Sequence, residues 1–301
     1  MQTILLPSEI KPGCGSLSHV QKLFNAVNKN DLVVAIDFSE LTWINAELCP
    51  FLGINIRLLQ KNNFKVLFRN QQQKVAKILN QNNFNNSLLR GNYSMEDKFN
   101  TSIPFIELQA DSIEEINFYI ENELFRKIDS ELELSCDIRQ QISDAIFEVA
   151  DNTKTHSRSN RLVMCGQLYP QKHRLSFTIC DDGIGIPNKV NSTEHIYGKV
   201  GLEESPKLID WATKSGNSTK DINVPRGLGL AGIMESMKIL GELTIISNKG
   251  FWKSTSSNHT ILNNIRTEFH GTLIKLDFLL NPDIEFPGTT ITTPTIDNFD
   301  F

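Results

Sequence analysis

Apolar and polar positions alternate between two periods along this chain. In the first ~80 residues, continuous apolar runs of strand length lie at 4–6, 32–37 (LVVAID) and 64–68 (FKVLF). Between them come stretches with helical spacing at 17–27 (Leu17, Val20, Leu23, Phe24, Val27), 48–59 and 75–79. An unbroken apolar run such as 32–37 is what a strand covered on both faces requires. Strands alternating with helices predict a small α/β layer domain over residues 1–85. Residues 81–100 are rich in Asn and hold no period, so 86–104 is expected to be a linker. Beyond it the order changes. A strand at 103–108 is followed by an amphipathic helix at 113–128 (Ile116, Tyr119, Ile120, Leu124, Ile128) and by a second helix whose apolar face is Ile138, Ile142, Ala145, Ile146 and Val149. Asp137, with Gln140 three residues on, is the expected N-cap of that helix. Strands follow at 162–168, 175–179, 243–247 and 272–279. This order predicts an α/β sandwich over 105–280 with helices on one face of a mixed sheet, and an extended Thr-, Pro- and Asp-rich tail over 281–301.

Composition narrows the class. A length of 301 residues suits two domains, and 40% hydrophobic with 22% charged residues is ordinary for a globular protein. The net charge of −5 offers no basic field for nucleic acid. No apolar run approaches the ~20 residues that span a bilayer, and MQTILLPSEI lacks the basic start of a signal peptide. Five scattered cysteines with no CxxC pair read as reduced core residues. The expectation is a cytoplasmic protein with neither membrane nor nucleic-acid partner.

Three stretches carry candidate chemistry. Glu148, Asn152 and His156 recur every four residues, so on a helix they stack along one face; alone, this is equally a solvated stripe. Cys180-Asp181-Asp182-Gly183-Ile184-Gly185-Ile186-Pro187 sets a carboxylate at a strand end before two glycines, where backbone can approach a flat base and Asp181 can accept from a ring amine. Arg226-Gly227-Leu228-Gly229-Leu230-Ala231-Gly232 is a Gly-rich turn opening an apolar helix, the geometry that cradles phosphates. It also satisfies GxGxxG, but KSGNSTKDINVP rather than a buried strand precedes it, which argues against a dinucleotide fold, and no GxxxxGK[ST] is present.

Together, in order and spacing, these stretches resemble the GHKL superfamily of gyrase-type, chaperone, mismatch-repair and histidine-kinase ATP-binding domains, with a Bergerat-type fold. The set Glu148, Asn152 and His156 is similar to the N-box, Asp181-x-Gly183-x-Gly185 to the first glycine box, 226–230 to the second, and Gly271-Thr272 to the closing motif. The resemblance implies ATP and Mg²⁺ as cofactors. Asn152 would hold the metal and Asp181 the adenine amine. Gly183, Gly185 and Ile186 would sit against the base, Arg226, Gly227, Leu228, Gly229 and Leu230 would wrap the triphosphate, and Thr272 would close the site. Residues 188–225 would form a lid containing Ser218, Thr219 and Lys220. Lys220 and Arg226 are candidate γ-phosphate contacts, or solvated lid charges. Glu148 would be the catalytic base, as in ATP-hydrolysing members and anti-sigma serine kinases, or else a structural carboxylate. His156 also fits the serine-kinase pattern. No helix bearing a phosphoacceptor histidine precedes the domain, which sets it apart from a sensor histidine kinase.

The stretch AIDFSELTWINAELCPFLGINIRLLQKNNFKVLFRN resembles the STAS domain of anti-sigma-factor antagonists over roughly residues 30–85. The turn Asn45-Ala46-Glu47-Leu48 corresponds to that family's phosphorylated turn, and Ala46 stands where those proteins carry the acceptor serine. The resemblances therefore imply a docking domain beside an ATP-binding domain. The expected activity is phosphorylation of a separate STAS-like or other regulatory protein at Ser or Thr, with an ATP-hydrolysing conformational switch as the alternative; a homodimer is left open.

Overall fold

The computed structural model describes residues 1–28, 31–89, 91–93, 95–193, 204–219, 229–255, 257 and 259–281. The N-terminal part is built from two successive βαβ passages: β1 (Gln2–Leu5), α1 (Cys14–Asn25), β3 (Val33–Asp37), α2 (Cys49–Lys61) and β5 (Lys65–Arg69). The three strands pair in parallel in the order β1-β3-β5, and the central strand is the LVVAID run. A short parallel ladder joins β2 (Glu9–Ile10) to β4 (Trp43–Ile44), and a 3-10 turn, Ala46–Leu48, leads into α2. Helices α3 (Gln73–Gln81) and α4 (Phe84–Leu88) complete this part. Helix α4 falls on the expected linker, because Phe84 is an anchor: it is fully buried, edge-on to Phe105 with ring centroids 5.1 Å apart. The following strand, β6 (Ser102–Gln109), begins inside that expected linker as well.

The second part is a five-stranded sheet in the order β6-β7-β8-β10-β9, with β7 (Arg161–Tyr169), β8 (Arg174–Asp181), β9 (Gly241–Ser254) and β10 (Thr260–Leu279). Every neighbouring pair is antiparallel, which corrects the expected mixed sheet. The reason is topological. The pairs β7–β8 and β9–β10 are adjacent in sequence, and β6 reaches β7 through two helical passages. An even number of passages returns the chain antiparallel. Those passages are 113–129, formed by α5 (Ile113–Tyr119), a π-helical turn Ile120–Phe125 and α6 (Arg126–Asp129), and then α7 (Cys136–His156). The N-cap of α7 is Ser135, not Asp137: its Oγ accepts from the Ile138 N–H at 3.2 Å. Asp137 lies in the first turn, where its charge complements the helix dipole.

Both faces of the sheet are covered. Ile116, Tyr119, Leu124, Ile142, Ile146 and Ile233 from the helices meet Met164, Phe177, Ile179, Leu243 and Ile274 on one face. On the other, α1, α2 and the 3-10 turn bury Val163, Cys165, Cys180, Ile246, Phe269 and Leu273 within the N-terminal core. Phe51 of α2 lies 5.5 Å from Phe269 of β10, centroid to centroid. The two expected domains therefore share one apolar interior. Cys49, Cys165 and Cys180 are buried, but Cys14 is half-buried and Cys136 exposed, so the expectation of reduced core cysteines holds for three of the five. Among the described residues no helix is long and apolar enough to cross a membrane.

Because Phe105 of β6 sits in the N-terminal core, with its ring where a Cβ on Gly53 would lie only 2.7 Å away, Phe105→Ala removes a contact common to both parts. It should cost about 3–5 kcal/mol and lower a single calorimetric transition. Two separate transitions, with only one displaced, would show that the halves melt independently.

Candidate functional site

The apolar face of α7 points at the sheet, so its Glu148–Asn152–His156 stripe is turned toward the edge of the helix layer. There it borders a cavity of ≈ 260 Å³. Glu148, Asn152, Asp181, Gly185, Ile186, Gly229, Leu230 and Thr272 all line this one space. Segments separated by more than a hundred residues thus meet in a single cleft. Val149, Ile179, Val190, Trp211 and Ile274 give it apolar walls, and Lys189 brings a positive charge.

Asp181 lies at the end of β8, 5% exposed, and accepts from the Gly183 N–H at 2.7 Å. Burial pushes its carboxyl up to about 7, with the neighbouring Asp182 charge adding to the rise, while donation from Gly183 and from the Thr272 backbone and hydroxyl opposes it. Thr272 stands directly opposite Asp181 in the β8–β10 ladder. The glycines are steric necessities. A Cβ on Gly183 would sit 2.3 Å from the Ser157 carbonyl oxygen, and Gly185 has φ +82° with the Asn248 side chain 2.4 Å from its missing Cβ.

Two residues that the sequence reading passed over hold this corner. Ser247 Oγ accepts from the Ile186 N–H at 2.8 Å and donates to the Gly271 carbonyl at 2.9 Å, tying the first glycine box to the closing motif. Asn248 Nδ2 donates to the Ile184 carbonyl at 3.0 Å. The only sequence signal was a Ser-Asn pair ending an apolar strand run, and that pattern is common at strand ends.

At the other end, the Asn152 Nδ2 donates to Glu148 Oε1 at 3.3 Å, and Gly229 takes φ +60° at the start of α10 (Gly229–Leu240) close to Glu148. Helix α7 and the second Gly-rich stretch are therefore neighbours. His156 Nδ1 is 3.2 Å from Thr219 Oγ1, and Ser218 also lines the cavity. Lys220, Arg226, Gly227 and Leu228 lie outside the described residues, as does the tail from residue 282. Within the span expected to be a lid, α9 (Ser205–Ala212) is fixed to the sheet: Ile209 is buried, and Trp252 Nε1 donates to Asp210 Oδ1 at 3.1 Å. That part is a wall.

The residues fit a nucleotide with its metal. A buried carboxylate beside a hydroxyl suits a ring amine, and the apolar walls suit a base. Among the described residues no group of three or more His, Cys, Asp and Glu could hold a metal ion. Mg²⁺ bound with phosphates asks less, taking one or two protein oxygens, and the Asn152 side-chain oxygen could supply one. No protein-family model matches the chain, and comparison with curated proteins yields no match.

Asp181 gives a pH-dependent stability. A carboxyl raised in the folded state contributes most when protonated, so its contribution is full below about 4 and is lost as pH rises through about 7. Asp181→Asn keeps an oxygen for Gly183 and removes the buried charge. At pH 8, without ligand, it should be more stable to unfolding than the parent by on the order of a few kcal/mol, and the gap should close toward pH 4. An unchanged gap across that range would mean Asp181 does not titrate there.

Proposed function

We propose that this chain binds ATP with Mg²⁺ as a GHKL-type domain and transfers the terminal phosphoryl group to a Ser or Thr of a separate, STAS-like partner. What supports the reading is convergence: the Glu148–Asn152–His156 stripe, Asp181 with Gly185, the last two residues of the second Gly-rich stretch (Gly229 and Leu230) and Thr272 border one cavity. Asp181 accepts the adenine amine at the buried end. Asn152 offers its side-chain oxygen to the metal, and Glu148, one turn earlier, accepts the proton of the attacking hydroxyl. The bound Mg²⁺ supplies charge neutralisation at the phosphates.

The N-terminal part bears on where the acceptor is. Ala46 has no hydroxyl, is 7% exposed, and its carbonyl accepts from Cys165 Sγ at 3.4 Å on the sheet face away from the cavity. A turn without a hydroxyl, packed against the sheet, supports placing the acceptor on a separate protein. A second reading, ATP hydrolysis driving a conformational switch, draws on a different observation. Glu148 also borders a polar-lined hollow between α7 and α10, with Gln141, Asp144 and Ser236, separate from the cavity that would hold a protein acceptor.

Incubation with γ-labelled ATP and candidate partners should yield phosphoprotein. Glu148→Ala should lower the rate about 10²–10⁴-fold with nucleotide binding retained, and Asn152→Ala should weaken Mg-ATP. Free phosphate alone would select hydrolysis, and no product from any partner would remove both readings.

A further inference from the structure

Successive residues of a strand face opposite sides of a sheet. At the end of β8 this alternation sends Asp181 to the cavity and Asp182 to the N-terminal side. The Asp182 side chain is 4% exposed, and its Oδ2 lies 3.6 Å from both Arg161 Nε of β7 and Lys61 Nζ of α2. Ser159 Oγ donates to its other oxygen. Arg161 Nη1 reaches Glu107 Oε2 of β6 at 2.8 Å, and Arg57 Nε of α2 donates to Glu107 Oε1 at 2.7 Å. Arg57 and Lys61 are one helical turn apart. Arg57, Glu107, Arg161, Asp182 and Lys61 alternate in sign along a path that leaves α2, crosses three strands of the sheet and returns to α2, where the helix backbone between Arg57 and Lys61 closes the ring.

We propose that nucleotide binding in the cavity and seating of the N-terminal domain on the sheet are coupled through this ring, with Arg161 and Asp182 as positioning residues for Asp181. The inference rests on reading the cavity as a nucleotide site. Its mechanical basis is the absence of slack at Asp182–Gly183. The Gly183 N–H donates to Asp181, while the Gly183 Cα has the Ser157 carbonyl against it and Ile184 N–H donates to that same carbonyl at 2.8 Å. A displacement of Asp182 toward or away from α2 therefore moves the donor that orients Asp181. Arg57 is itself held by the Ser87 carbonyl at 3.1 Å and Gln60 Oε1 at 2.7 Å, so the ring is anchored in the N-terminal core. Linkage makes the effect reciprocal: what α2 does to the cavity, an occupant of the cavity does to α2.

The test uses the full chain, a fluorescent adenine nucleotide with Mg²⁺, and variants outside the cavity. Glu107→Gln breaks the ring between Arg57 and Arg161 and should weaken nucleotide affinity about 5–10-fold. Lys61→Met, at an exposed side chain that tolerates replacement, should weaken it about 2-fold. The double variant should fall short of the product of the two, because both cut the same circuit. In the parent, nucleotide should slow amide exchange in residues 57–61, and Glu107→Gln should abolish that slowing. Parent-like affinity and exchange in both variants, whatever their melting temperatures, would overturn the coupling and leave the nucleotide reading intact. Failure of the parent to bind any adenine nucleotide would overturn both.

Discussion

A five-stranded sheet with two apolar faces must be covered twice, and the arrangement of this protein follows from that requirement. One cover is the helix layer containing α7, α9 and α10; the other is the N-terminal α/β unit, whose α1, α2 and 3-10 turn lie flat on the back of β7, β8 and β10. Burial of side chains such as Val163, Cys180 and Phe269 under that second cover contributes about 25 cal/mol per Å² of apolar surface removed from water. A sheet of this kind cannot stand with one face bare.

The seam under the second cover is not wholly apolar. Glu47, fully buried, accepts from Asn45 Nδ2 at 3.1 Å and from the hydroxyls of Tyr169 and Ser176 at 3.4 Å each. The single Ser176 hydroxyl proton is shared with Asp277, the nearer acceptor, which pairs with Lys275. Burial, with the Glu47 carboxylate beside it, pushes the Tyr169 hydroxyl well above its ordinary range. A buried carboxylate satisfied by neutral donors is a poor source of stability and a good source of specificity, because only one docking of the N-terminal unit supplies those donors.

Much of the fold was legible because its signals are local. The LVVAID run marked the central parallel strand, and the spacing of Ile138, Ile142 and Val149 marked α7. That Glu148, Asn152, Asp181, Gly185 and Thr272 share one site was implied only by the resemblance of their motifs to a known family, since their spacing along the chain leaves a solvated stripe as the plainer reading. Long-range consequences were not legible. The all-antiparallel pairing depends on the number of helical passages, and the role of α4 depends on Phe84 finding Phe105. Ser247 and Asn248 acquire their roles only when β9 is placed beside Ile184 and Ile186. The N-cap was misassigned by two residues because Ser135 and Asp137 are both good caps, and only backbone geometry separates them.

Strand β10 invites a mechanical description. Its 20 residues, at about 3.3 Å each, would span about 65 Å if straight. Near one end Thr272 touches Asp181; farther along, Arg266 N–H donates to Ser18 Oγ of α1 at 3.2 Å and the Glu268 carbonyl accepts from Asn25 at 2.8 Å. The ladder with β9 shifts register twice, between Asn264 and Phe269 and again before Thr272. The strand is thus a beam with a built-in joint at residues 264–272, paired to β9 on both sides of it and held at the joint itself by α1. A pull on the hairpin tip would therefore load α1, through Ser18 and Asn25, before it reached Thr272 at the cavity.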